Sequence, residues 1–310
     1  MRLLTSWPLR GLLAALGLAA AALPRSVELT LGAALGRTAL ALGFFKDRVA
    51  AENIRRALPE LSAAERRRLL ERNYEHMGRL FFEYLHFFTP VVGHYARYAA
   101  ANSRIEGLEN WEAARAKGKG VLIVSLHLGW WEMQAASGGL AGMPLTVVTK
   151  AVKPAWLHDL LTERRLSTGV KAALHPGSMP SIMRALRKGE AVAFMNDQYA
   201  RPPMGLKVRF FGVEVETLSA VGPLAKRTGA AIITATSYRD LDGITRAFLS
   251  PEVDLGPALE DPVRATQALA AIVEGNVRRH PEQWLWLHRR FKNVVWPAEP
   301  APSQGAVHGL

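Results

Sequence analysis

His127 and Glu132 stand five positions apart in SLHLGWWEM, residues 125–133, directly after the apolar run Val121–Ser125. Where a strand gives way to a helix, a glutamate in the first helical turn can fold back on a histidine in the preceding loop. Its carboxylate then bonds one imidazole nitrogen, fixes the tautomer and leaves the other nitrogen as a proton acceptor. No protein nucleophile accompanies the pair: the chain has no G-x-S-x-G and no cysteine. The base would therefore activate a hydroxyl carried by the substrate, and the reaction would be direct transfer to an alcohol. The spacing is not H-E-x-x-H, nothing else has the look of a zinc site, and G-x-x-x-x-G-K-[ST] is absent. No metal and no cofactor are expected.

The elements that must position these residues alternate along the chain. Strands are predicted at Val121–Ser125, Leu145–Thr149, Val170–Leu174, Ala191–Met195, Val208–Phe211, Ala231–Ser237 and Arg246–Leu249. Helices are predicted near 130–140, 154–166, 178–188, 217–228 and 261–280. Such alternation implies an α/β fold, a mostly parallel central sheet flanked by helices. Reactive groups in such sheets gather where strands end. His127 lies two residues past one apolar run and Asp197, in VAFMNDQ, two past another, so both should point into one crevice. Upstream, Ser62–Phe88 repeats apolar residues at three- and four-residue steps, with Ser62 and Glu65 as a capping box. The arginines studding that helix read first as a solvated face.

Composition bears on partners. Lys and Arg number 39 against 27 Asp and Glu, a formal charge of +12. That excess expects nucleic acid, anionic lipid or an acidic protein. Nucleic acid is disfavoured, since there is no base-reading basic helix and no aromatic RNA-binding strand. At the N-terminus Arg2 and Arg10 precede GLLAALGLAAAAL, residues 11–23, and Pro24 and Arg25 end the run. Thirteen apolar residues fall short of the ~20 that cross a bilayer as a straight helix. A cleavable signal peptide also fits, but Val27–Phe45 continues in the same apolar style. An uncleaved anchor, spanning or lying in the interface, is the preferred reading. Residues 1–45 are thus expected to form a membrane-anchoring helical region, 46–296 one catalytic domain, and 297–310 a flexible tail.

The chain resembles the late acyltransferases of lipid A biosynthesis, the lauroyl and myristoyl transferases of Gram-negative inner membranes. VSLHLGWWE is similar to their H-x-x-x-x-D/E motif. LRKGEAVAFMNDQ (186–198), VRFFGVEVETLSAVGPLAKRTGAAII (208–233) and PEQWLWLHRRFK (281–292) resemble the family's later blocks in order, and residues 48–84 its lead-in. The resemblance implies a glycerolipid-acyltransferase-like fold and transfer of a fatty acyl chain from acyl carrier protein to a hydroxyl of a lipid A precursor. It implies His127 as general base and Glu132 as its orienting partner. It also implies a functional arginine, Arg164 or Arg165, and an Asp197–Gln198 pair that holds this arginine or the acceptor headgroup. Thr217 would be a helix N-cap first and a binding residue second. The partners implied are acyl carrier protein, an anionic glycolipid acceptor and the bacterial inner membrane, with the active site facing the cytoplasm. Relatives that acylate ornithine lipids or mannosylated phosphoinositides share these motifs, so another polar lipid is the alternative acceptor.

Overall fold

In the run VLIVS every side chain is buried, with Leu122 and Val124 in one apolar cluster and Val121 and Ile123 in another. A strand buried on both faces must lie inside a sheet covered by helices on each side. The computed structural model, which describes residues 7–44 and 46–296, has that arrangement. Helices α1 (Trp7–Ala21), α2 (Arg25–Ala41), α3 (Asp47–Ala57), α4 (Ala63–Leu85) and α5 (His94–Asn102) come first. Then follow β1 (Ser103–Glu106), α6 (Leu108–Ala116), β2 (Val121–Ser125), α7 (Trp131–Leu140), β3 (Leu145–Lys150), α8 (Ala155–Leu166) and β4 (Val170–His175). The chain continues through α9 (Met179–Arg187), β5 (Ala191–Met195), β6 (Gly205–Phe210), β7 (Val213–Leu218), α10 (Val221–Thr228), β8 (Ala231–Arg239), β9 (Thr245–Leu249) and α11 (Pro262–Arg279).

Seven strands form one sheet in the order β1-β9-β8-β2-β5-β3-β4, parallel except for the β8–β9 pair, while β6 and β7 form a separate hairpin. The α/β expectation holds. β2 sits centrally and β5 pairs with it in register from Val121↔Ala191 to Ser125↔Met195. The loops that carry His127 and Asp197 therefore leave the sheet side by side.

Two strands differ from the sequence reading. β1 is a four-residue edge strand, too short to give a periodic signal. β7 occupies part of the stretch predicted as helix from residue 217. Phe211 and Gly212, at φ 51° and 77°, form a two-residue turn of the left-handed kind that closes hairpins. Val213 and Val215 then alternate inward, and α10 begins only at Val221. Thr217 is consequently not a helix cap. It is a fully buried strand residue whose hydroxyl accepts from Arg290 Nη2.

The capping box forms as predicted: Glu65 N–H donates to Ser62 Oγ, and the Glu65 carboxylate accepts from the Ser62 N–H at 2.8 Å. Glycines set the approach of α2 to α4. A Cβ on Gly36 would lie 1.9 Å from the Tyr74 carbonyl oxygen, and one on Gly78 would lie 2.1 Å from that of Gly32. At 17 residues α2 is about 26 Å long. Among the described residues no helix is long and apolar enough to cross a membrane, so the spanning alternative for residues 11–45 finds no support. Residues 1–6 and 45 of the expected anchor region, 1–45, and the expected flexible tail, 297–310, lie outside the described residues.

Candidate active site

The loop after β2 turns sharply at Gly129, where φ is +60° and a Cβ would meet the Ser237 carbonyl oxygen at 2.4 Å. Only glycine fits that close approach. Nearly every polar backbone group from His127 to Gly129 has a partner. The His127 N–H donates to Asp197 Oδ2 at 2.7 Å, and its carbonyl accepts from Leu285 N at 3.1 Å. The Leu128 carbonyl accepts from Ser237 Oγ at 3.1 Å. Gly129 donates to the Gln283 carbonyl at 3.1 Å, and its own carbonyl pairs with His76 Nε2 at 3.2 Å. A loop held at this many points presents its side chain in one geometry, which is what a pre-organised base requires.

On the ring itself, His127 Nδ1 lies 2.8 Å from Asp197 Oδ1. An ionised carboxylate only accepts, so Nδ1 carries the proton and Nε2 is left with a lone pair. The Gln198 amide nitrogen stands 3.3 Å from Nε2 and donates to it. Trp131 packs its ring edge-on to the imidazole at 4.8 Å.

Asp197 is buried, 2% exposed, and its second oxygen also accepts from Trp284 Nε1 at 2.8 Å. Burial pushes its carboxyl up, but its electrostatic attraction to the His127 ring when that ring is protonated, together with these hydrogen bonds, outweighs that and holds it below the usual carboxylate range. Its hydrogen bonds go to His127 and Trp284, not to the helix arginine.

Glu132 does not take the place that its spacing suggests. It sits in the first turn of α7 and forms a two-bond fork with Arg165, Nε to Oε2 at 2.9 Å and Nη2 to Oε1 at 2.6 Å. The orienting bond on His127 comes from Asp197 instead. Burial would lower the Arg165 pKa, but Glu132 outweighs it and raises the pKa. Arg164 points elsewhere and donates to the Phe87 and Thr89 carbonyls at 2.8 and 3.0 Å. Of the two arginines left open by the sequence, Arg165 is the one at the site.

His127, Trp131, Glu132 and Arg165 line one end of a cavity that continues between α7 and the sheet. Small side chains open this space: Ala135 and Gly138 on α7, and Ala193, Ala235 and Ala247 on the strands below. Ile105, Met143 and Leu249 add to its apolar lining. Polar side chains and a hydrocarbon lining in one cavity suit an apolar chain with a polar head. Among the described residues no group of three or more His, Asp or Glu is placed to hold a metal ion.

Trp130 lies in the core, fully buried against Tyr84, Phe87, Tyr95 and Tyr98. Arg290 is also buried. Its Nη1 donates to the Gln198 and Glu216 carbonyls at 3.3 and 2.7 Å, and burial brings its pKa down to about 10, partly offset by Asp197. Trp284, Gln283, Ser237 and His76 were not apparent from the sequence as site residues. Each acts through a few hydrogen bonds to groups far off in the chain, which leaves no spacing to read.

The chain matches the family described as bacterial lipid A biosynthesis acyltransferase over residues 2–293. It is 32% identical over 282 residues to a lipid A biosynthesis palmitoleoyltransferase of Escherichia coli, covering 87% of this chain and 86% of that one. To a lipid A biosynthesis lauroyltransferase of Escherichia coli it is 30% identical over 276 residues, covering 87% of each. A phosphatidylinositol mannoside acyltransferase of Mycobacterium tuberculosis is 29% identical over 272 residues, covering 82% of this chain and 78% of that one. With an α/β fold and a match that runs almost end to end, the chain belongs to the bacterial lipid A biosynthesis acyltransferase family.

Proposed function

We propose that this protein transfers a fatty acyl chain from acyl carrier protein to a hydroxyl of a lipid A precursor, with His127 as general base. The observation that carries the reading is the His127–Asp197 pair at the mouth of an apolar cavity. The acceptor hydroxyl displaces the Gln198 amide from His127 Nε2. As its oxygen bonds to the thioester carbonyl carbon, Nε2 takes the hydroxyl proton. The carbon–sulfur bond breaks, and the departing sulfur receives the proton back from the imidazolium. Asp197 keeps the ring in the required tautomer and stabilises its charged form. The Glu132–Arg165 pair holds the start of α7 against α8 and places a cation beside the reacting head. Gln198 lies close to the reacting oxygen, while Thr217 acts at a distance by fixing Arg290 beneath it.

The +12 charge attracts acyl carrier protein and phosphorylated glycolipid alike. Exposed apolar side chains on α1 and α2, among them Trp7, Leu12, Leu18 and Leu31, favour a protein lying on the inner membrane with its site open to the cytoplasm. Residues 46–296 then form the transferase body.

Transfer of labelled acyl groups from acyl carrier protein to a lipid A precursor tests this directly. Activity in the wild type and a loss of at least ~100-fold in His127→Ala are expected. Equal activity in the two would remove His127 from the base position. The similarity to a phosphatidylinositol mannoside acyltransferase favours, as the second reading, a glycosylated phospholipid acceptor. Lipids from a deletion strain separate the two, since only the first loses a secondary acyl chain on lipid A.

A further inference from the structure

Three ionised side chains and one neutral histidine run in an unbroken line from the start of α2 to the loop that carries His127, with Glu28 beside its outer end. Arg25, at the first position of α2, bonds Glu83 and the Tyr98 hydroxyl, and reaches Glu28 Oε2 at 3.2 Å and the Gly243 carbonyl at 3.0 Å. Glu83, on α4, is fully buried and shared: it accepts from Arg25 on one side and from Arg239, at the end of β8, on the other. Arg239 Nη1 lies 3.0 Å from His76 Nδ1. A guanidinium only donates, so His76 accepts at Nδ1 and carries its proton on Nε2, which bonds the Gly129 carbonyl at 3.2 Å. Arg239 grips the same glycine by a second route. Its backbone N–H and carbonyl are both bonded by the Gln283 side chain, at 2.7 and 2.9 Å, and the Gln283 carbonyl accepts from Gly129 N.

Seating α2 adds a second ion pair to a buried one: Arg25 and Glu28, both on α2, come onto Glu83 and Arg239. Arg25 and Arg239 meet Glu28 and Glu83, two cations against two carboxylates, in a region almost closed to water. Without Arg25, Glu83 keeps Arg239 as its cation, while Glu28 keeps the Tyr98 hydroxyl and the His86 ring at 3.3 Å but loses its guanidinium. The Glu83–Arg239 pair then loses its outer anchor, and the buried His76 ring is hydrogen-bonded to that Arg239 on one side and to the Gly129 carbonyl on the other. The seat of α2 depends on Gly32, Gly36 and Gly78, which bring it onto α4 without side chains between them. The outer side of the same helix exposes Val27, Leu31 and Leu35.

We propose that Arg25, Glu83, Arg239 and His76 are positioning residues that couple the seating of the N-terminal helices to the geometry of the catalytic loop. The proposal rests on the assignment of His127 as base. The helices with the exposed apolar face thereby act on the reacting imidazole, through Gly129, although none of the four touches substrate.

Three variants of the full chain, with wild type, test this. Arg25→Met breaks the line at its outer end, His76→Leu at its inner end, and Gly36→Val unseats α2 without altering any charge. Each should lower kcat at least tenfold with KM for both substrates within about twofold, and should speed amide exchange at residues 127–130 at least tenfold. Arg25→Met with His76→Leu should be no worse than the poorer single variant, because both interrupt one line. His76→Gln, which restores a donor near the Nε2 position, should recover most of kcat. His76→Leu keeps the question open to test if Arg25→Met fails to accumulate, since it leaves no carboxylate unpaired.

The proposal is overturned if the variants melt earlier but keep wild-type kcat and loop exchange, or if the two losses multiply. Should His127→Ala prove as active as wild type, the base assignment fails, and loop exchange alone then decides whether the coupling exists.

Discussion

Asp197 holds His127 at two atoms, Oδ1 to the ring Nδ1 at 2.8 Å and Oδ2 to the backbone N–H at 2.7 Å, across 70 residues of sequence. One carboxylate thus fixes both the loop and the tautomer of the ring it carries. The pairing of β2 with β5 in register brings the two loops together.

Asp197→Asn should keep the fold but present an amide to Nδ1 and favour the wrong tautomer. A fall in kcat of ~100-fold or more is expected, by analogy with the loss of an orienting carboxylate in hydrolytic triads. Steady-state kinetics on the purified variant, with circular dichroism as the folding check, measures it. A loss under threefold would argue that the ring needs no partner at Nδ1.

Glu132→Gln should act on stability as well as rate. Its partner Arg165 has a side chain only 13% exposed and would lose its counter-charge in place. Breaking such a pair costs about 3–5 kcal/mol. Urea unfolding of Glu132→Gln and of Glu132→Gln with Arg165→Met reads this, and the double variant should regain part of the loss.

Gly129→Ala should be among the most damaging small substitutions in the chain. The added methyl group meets the Ser237 carbonyl oxygen, and the left-handed backbone itself costs about 1–2 kcal/mol for any other residue. Loss of activity together with a lowered melting temperature is the expected outcome.

Acidification should destabilise the fold through His76. Burial, and then the Arg239 charge, hold its pKa well below 6.5, so the folded protein keeps it neutral while the unfolded chain protonates it near that value. Below about pH 6.5 the unfolded state binds the extra proton, and stability falls by up to about 1.4 kcal/mol per pH unit from this group. His94, His280 and His288 are shifted the same way by burial and add to the slope. Unfolding free energies at pH 7.5 and 5.5 should converge in wild type and His76→Gln as the pH drops, with the shallower slope in the variant.

Leu12→Glu with Leu18→Glu should weaken binding to anionic vesicles at least tenfold without lowering the melting temperature, because both side chains are exposed, 56% and 46%. Co-sedimentation at two salt concentrations separates the apolar contribution from the electrostatic one.

Much of this protein is determined by sequence alone. The alternation of apolar runs and helical stretches, the capping box at Ser62 and the strand at Val121–Ser125 are local, since each depends on periodicities that neighbouring residues share. So is the prominence of His127 and Asp197, two residues past strands that must be buried. The partner of His127 was decided by tertiary structure. H-x-x-x-x-E spacing put Glu132 nearest along the chain, but the register between β2 and β5 put Asp197 nearest in space, and Arg165 drew Glu132 away. Thr217 moved from helix cap to strand interior because a two-residue turn at Phe211 and Gly212 reversed the chain before the helix could start. The line from Arg25 to Gly129 joins residues 25, 76, 83, 129 and 239, and no local pattern records it. A hydrogen bond reaches about 3 Å in space and carries no limit along the sequence.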